Sequence, residues 1–398
     1  MTTARKTVLI IASVLVAGGL AIAFGAFAAA GFDIRNLSND PRDWEKIEQT
    51  FEINVSTPYT SINVYGSEED VRFEHTDGDH IEVAYWDSAQ GDKHHTLSDE
   101  AGVLSLTSDA RNQFLGHIGL LSFAREDRAT VIKVPSSYTG TITVKTQVGE
   151  TEIDSLTQVE ALNVFSDAGY VSVKNTQAGA IELRSSAGGL EAVGIQAEQL
   201  IATNSAGSVY LHDIDAQTLE VRNDVGNIEV SEVRAKNMVA STKAGSADLS
   251  DIVADSLETT SEVGNQNLFK VQADTLTATS SMGAITARAL TVSTSTLEAQ
   301  TGNVSATFTE EASAYVIDAQ AQLGSVHTPE GAREATKHIT ARATTGNIDL
   351  AFGAHAGGQG QDYSQSENSG SESDRRTPQA PAAPTAPEAP AAPAAPKN

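Results

Sequence analysis

Carboxylates gathered on neighbouring strands are what this chain would need to cleave a glycosidic bond, one as general acid and one as base or nucleophile. Asp167, Asp224 and Glu262 are the candidates, each two residues before a glycine that recurs along the sequence. The equivalent positions between them hold Ser186, Ser205 and Lys243, so the three do not fall on adjacent repeats. That spacing fits acidic side chains dispersed over solvated faces better than a catalytic pair. The nine histidines show no His-Glu-x-x-His arrangement for zinc. His94 and His95 stand together in DSAQGDKHHTLSD, which reads as an exposed polar loop with no third ligand nearby. Asp77-Gly78-Asp79 reads as a turn and lacks the later Glu of a calcium loop. A phosphate-cradling Gly-Lys-Ser and a Gly-x-Ser-x-Gly elbow are both missing. The sequence has no cysteine, which removes disulfides, thiol catalysis and Cys-based metal sites. No catalytic, cofactor-binding or metal-binding residue is therefore assigned, and the chain is read as non-enzymatic.

The charge balance narrows the partners. Twenty-six Lys and Arg against 52 Asp and Glu give a net charge of −26 over 398 residues. Without basic patches the chain cannot neutralise phosphates, which excludes nucleic acid. Adsorption to anionic lipid is excluded on the same ground.

The elements behind these residues are set by a repeat. Glycines fall at Gly149, Gly169, Gly188, Gly207, Gly226, Gly245, Gly264, Gly283, Gly302, Gly324 and Gly346, and the seven intervals from Gly169 to Gly302 are each 19 residues. A fixed period near twenty is the signature of a solenoid with one coil per repeat. The first interval is 20 and the last two are 22, which reads as loop lengthening. Two and four residues after the glycines come apolar columns, such as Val171, Leu190, Val209 and Ile228, then Val173, Leu211, Val230 and Leu249. A spacing of two puts both on one strand face. Further apolar columns follow at plus seven (Ile195, Ile214, Val233, Ile252) and plus twelve (Leu200, Leu219, Met238, Leu257). Stacked coils would bury one another's columns. Each glycine reads as a corner, where positive φ costs it nothing. Three residues before the corners stand Thr146, Ser166, Ser185, Asn204, Asn223, Thr242, Ser261 and Ser280. They read either as a polar ladder between coils or as ordinary turn chemistry. Only outward residues, Asn227 and Glu229 among them, are left to carry function.

Helical repeats need longer periods, and the Thr, Ser and Val content disfavours helix. The expected fold is all-β: one solenoid of about eleven coils over residues 141–352, preceded by an irregular β cap region over 31–140. At ~4.8 Å per coil the stack would run about 50 Å. The cap region holds eleven of the 21 aromatic residues. Its expected strands alternate apolar and polar at residues 51–55, 61–66, 71–75, 80–86, 103–108 and 130–135. Tyr85, Trp86, Phe114 and the apolar run 118–123 would pack over the first coil.

At the N-terminus, Arg5 and Lys6 precede an uncharged apolar run over residues 7–30. As a helix it spans about 36 Å, enough for a ~30 Å hydrocarbon core. Its length favours a retained transmembrane signal anchor over a peptide cleaved after Ala26-Phe27-Ala28. The positive-inside rule then places residues 1–6 in the cytoplasm and everything beyond residue 31 outside. From residue 353 a Gly/Ser-rich and then Pro/Ala-rich tail follows. Its composition cannot bury a core and is expected to be disordered. Prolines at every third position from Pro378 to Pro396 suit a polyproline II rod.

This layout resembles a family of bacterial membrane-anchored proteins described as putative adhesins with β-strand repeats. The resemblance rests on the apolar N-terminal segment, AGFDI at residues 30–34, VIKVP at 131–135 and coils such as GNIEV at 226–230, and it covers residues 1 to about 350. It implies a β-solenoid and a cell-surface or envelope location, and it carries no catalytic residues. The expected function is a non-catalytic adhesin or interaction scaffold, single-pass in the bacterial cell membrane, with an envelope protein or glycan as partner and no cofactor. The alternatives are a polysaccharide-active enzyme on the same fold and an accessory partner of an envelope-stress regulatory system.

Overall fold

The structure, a computed structural model, describes residues 44–53, 58–88, 93–110 and 128–353. The apolar run 7–30, Phe114, residues 118–123 and the tail beyond Gly353 lie outside these residues. Among the described residues, no helix is long and apolar enough to cross a membrane.

The chain is all-β and forms one solenoid. Its first strands are β1 (Trp44–Glu52), β2 (Ser61–Glu68), β3 (Val71–Thr76), β4 (His80–Ser88), β5 (Lys93–Glu100), β6 (Val103–Ala110) and β7 (Thr130–Pro135). Next come β8 (Thr141–Val148), β9 (Thr151–Asp154), β10 (Val159–Ala168), β11 (Val171–Lys174) and β12 (Gln177–Ala187). Six 17-residue strands follow: β13 (Leu190–Ala206), β14 (Val209–Val225), β15 (Ile228–Ala244), β16 (Ala247–Val263), β17 (Gln266–Met282) and β18 (Ile285–Thr301). The series ends with β19 (Val304–Phe308), β20 (Tyr315–Leu323), β21 (Val326–His327), β22 (Lys337–Thr345) and β23 (Ile348–Phe352).

Successive coils pair in parallel and shift by one repeat, so Val209, Ile228 and Ala247 stack, as do Leu219, Met238 and Leu257. All four expected apolar columns are buried through the middle coils. A fifth column that the periodicity did not reveal lies five residues before each corner, at Leu183, Ala202, Val221, Ala240, Thr259, Ala278 and Leu297, all fully buried. Thr259 brings a hydroxyl into that column, and its Oγ1 is buried without a hydrogen-bond partner. Thr259→Val should raise stability by about 1 kcal/mol, because an isosteric methyl removes an unsatisfied polar atom. Chemical denaturation would measure it, and a destabilised variant would contradict the packing.

The glycines are corners for a stricter reason than local conformation. At Gly226, φ is +128° and an added Cβ would lie 2.0 Å from the carbonyl oxygen of Gly207 in the coil below. The corners pack backbone on backbone, leaving no room for a side chain.

A second corner went unseen in the sequence. Six residues after each of the first eight corner glycines, Ser155, Asn175, Gly194, Asp213, Glu232, Asp251, Lys270 and Ala289 all have φ between 48° and 67°. This left-handed turn lets a 17-residue strand bend within one coil. Non-glycine residues pay roughly 1–2 kcal/mol for it. Ala289→Gly should therefore stabilise the protein by about 0.5–1 kcal/mol net of the added chain entropy, read as a higher denaturation midpoint. A lower midpoint would mean that the methyl group packs usefully there.

Both ends depart from simple sequential stacking. The layer of β2 and β3 lies between β6–β7 and β8–β9, so parallel stacking begins upstream of residue 141, within the stretch expected to be irregular. At the other end β22 and β23 stack directly on β18 and β19, and β20–β21 lie outside them. The two 22-residue intervals thus mark a chain that skips a layer and returns to fill it, rather than a lengthened loop. The remaining strands are antiparallel: β1 on β4, β4 on β7 and β5 on β6.

Candidate functional site

The carboxylates suggested by the sequence stay apart. Asp167 and Glu262 are exposed, and Asp224 forms an ion pair with Lys243 at 2.7 Å on the next coil. Among the described residues, no three His, Asp or Glu side chains are placed to hold a metal ion. The eight polar residues before the corners are all buried. Their hydrogen bonds run mostly to corner carbonyls: Asn204 to Gly188 O at 3.1 Å, Asn223 to Gly207 O at 2.9 Å and Ser280 to Gly283 O at 3.1 Å. Asn227, expected to be free for function, has its Oδ1 accepting from the Ser246 amide at 3.1 Å. Asn265 does the same for Ala284 at 3.0 Å, so this position ties coils together. Glu229 remains exposed.

The densest titratable cluster is one the sequence hid. His95 was expected in an exposed loop, yet it lies on β5 with its side chain 1% exposed. Its Nδ1 is 2.7 Å from Asp87 Oδ1 on β4, and its Nε2 is 2.7 Å from Glu69 Oε2, where Glu69 is 2% exposed. Thr130 at the start of β7 donates to the same Glu69 oxygen at 2.9 Å. Tyr85 packs its ring 4.7 Å from the imidazole. Both imidazole nitrogens are thus engaged by carboxylates. Burial leaves no approach for a substrate. The cluster acts as a clasp joining the antiparallel strands to the corner between β2 and β3. The signal was present in the alternation of His95 with Leu97, but the surrounding polar residues masked it.

A depression of about 210 Å³ is lined by Val253, Asp255, Gln272, Asp274, Ser293 and Lys337. On the face after the corners, Glu191 accepts from Ser172 at 2.8 Å and pairs with Lys174 at 3.1 Å. Burial alone would raise its carboxyl, but these hydrogen bonds and the Lys174 charge together hold it below the usual range. A depressed folded value gives stability that is present above the unfolded pKa and is lost as pH falls through the folded one. The Glu191 carboxyl should accordingly titrate below ordinary glutamates when followed by NMR, and Lys174→Met should move it upward.

The most extended feature is apolar. Ala206, Val225, Ala244, Val263 and Met282, each one residue before a corner, stand in register on five consecutive coils. Val225 is 58% exposed, Val263 46% and Met282 55%. Together they form a narrow ridge along the stack.

Comparison with protein families decides the relationship. The Toastrack DUF4097 model matches residues 59–232 and again 197–351, the overlap following from the repeat. The chain belongs to this family. No curated protein matches the chain. Among solved structures, a "putative adhesin" from Parabacteroides merdae ATCC 43184 is 12% identical, with TM-score 0.37, covering 68% of this chain and 97% of its own. A "putative cell adhesion protein" from Clostridium sporogenes ATCC 15579 is 9% identical, with TM-score 0.25, covering 77% and 100%. A "putative adhesin" from Bacteroides fragilis NCTC 9343 is 13% identical, with TM-score 0.28, covering 77% and 97%.

Proposed function

We propose that the chain is a non-catalytic β-solenoid of the bacterial envelope that works as an adhesin or interaction scaffold. The observation that carries this reading is the exposed apolar ridge, since a strongly acidic soluble surface has no other use for such a run of Val and Met. In this reading residues 7–30 anchor the chain in the cell membrane with residues 1–6 cytoplasmic, and the solenoid stands outside. The antiparallel strands β1, β4 and β5 then serve as a cap over the membrane-proximal end. The partner is an envelope protein or glycan that meets the ridge and the flanking faces.

Full-length chain should retain a specific partner from intact envelopes or on a glycan array. Val225→Asp with Val263→Asp should lower that retention at least tenfold while leaving circular dichroism unchanged. If nothing is retained, or if the double variant retains as much, the ridge is not an adhesive surface.

A further inference from the structure

The two ends of the sheet are finished differently. At the end where the chain enters, β1 carries Glu45, Lys46, Glu48 and Glu52, and β5 carries Lys93, Asp99 and Glu100. Charges along edge strands stop other chains from adding to them. At the opposite end the outer strands are β20, with the sequence YVIDAQAQL, and β21. The one charge in β20, Asp318, is held by Arg342 of β22 through contacts of 3.2 and 2.6 Å. There is no lysine, arginine or proline in either strand.

This edge is also open. Among the described residues, β20 pairs with β22 on one side, and its other edge meets only the following loop, where the Ala332 amide donates to Tyr315 O at 2.8 Å. That contact covers the start of the strand and leaves the stretch from Ala319 to Val326. The core ends there: Ile317, Ala319 and Ala321 are partly buried, while Leu323 is 68% and Val326 38% exposed.

We propose that this edge is a homophilic docking site, where β20 pairs antiparallel with β20 of a second copy about a two-fold axis. Such a contact is self-complementary and closes at two chains. Charge allows a second copy to approach at this edge. A net charge of −26 sets like against like over most of the surface, whereas residues 315–328 carry one neutralised aspartate. Register also fits. Centred on Ala321, the pairing sets Ala319 opposite Leu323 and Ile317 opposite Ser325, so the exposed Leu323 gains an apolar partner on the second copy, while main-chain bonds supply affinity.

The proposal names the partner within the surface-adhesion reading and rests on that reading for its consequence. The chain enters the solenoid at β1, beside the far end of the stack. A two-fold contact at β20 turns the two entry points away from each other, as a bridge between two cells requires.

Because the chain has no cysteine, single-cysteine variants report position cleanly. Full-length chain in detergent micelles should sediment as a dimer. Ala321→Cys, on the axis, should form an intermolecular disulfide under mild oxidation, and Glu48→Cys at the opposite end should not. Leu323→Lys, at a solvent-facing position, should weaken the dimer at least tenfold with unchanged circular dichroism. Three results would each overturn the proposal: a monomer at every concentration, equal crosslinking at both cysteines, or a Leu323→Lys dimer as tight as the parent. A monomeric chain that still captures envelope material through the ridge would leave adhesion standing without the homophilic contact. A dimer that captures nothing would support the contact and remove the ridge-based reading.

Discussion

Gly226→Val should open the middle of the solenoid. Two costs coincide at this corner. A φ of +128° is ground that a β-branched residue does not occupy, and the Cβ would lie 2.0 Å from Gly207 O, where no rotamer relieves it. The backbone of at least two coils must move, so the loss should reach about 4 kcal/mol or more, in the range reserved for strained and overpacked sites. Because coils contact only their neighbours, the damage should stay local. Limited proteolysis should cut near residue 226 while circular dichroism keeps most of its β signal. Gly226→Ala should show the same cleavage, since the clash involves Cβ itself. A Val variant as protease-resistant as the parent would mean that the corner can rebuild without its glycine.

His95→Leu should be nearly as costly, for an electrostatic reason. Removing the imidazole leaves the Glu69 and Asp87 carboxylates facing an apolar side chain. Glu69, whose side chain is 2% exposed, would lose its 2.7 Å contact with the imidazole. Breaking a buried charge pair from one side typically costs 3–5 kcal/mol. The loss should appear as a lower denaturation midpoint, with β5 exchanging its amides first. A loss below about 1 kcal/mol would show that water reaches the carboxylates as easily as the imidazole does.

Much of the fold was legible because it is periodic. Gly226 with Ile228 and Val230 identifies a coil wherever it recurs, and the corner glycines all take positive φ as expected. The second corner was illegible because its φ near 50° is met by Asp213, Glu232, Lys270 and Ala289 alike, and no residue type marks the column. The order of the last layers was illegible for another reason: parallel register tells which residues stack, not which coil is filled first. The cluster around His95 joins a strand residue to Glu69, a corner residue 26 positions away, and no local pattern encodes that meeting. The ridge was hidden by its own composition. Val225 and Val263 look like core residues until the corner turns them outward.

The return of β23 into the stack bears on how the protein carries load. A strand at the end of a solenoid peels away one bond at a time when its free end is pulled. β23 instead lies between β19 and β21, with ladders on both sides. Tension applied at Gly353 must shear two ladders together, spreading the force over many hydrogen bonds at once. The last described strand is therefore a wedge, and it locks in place the outermost coil at that end of the stack.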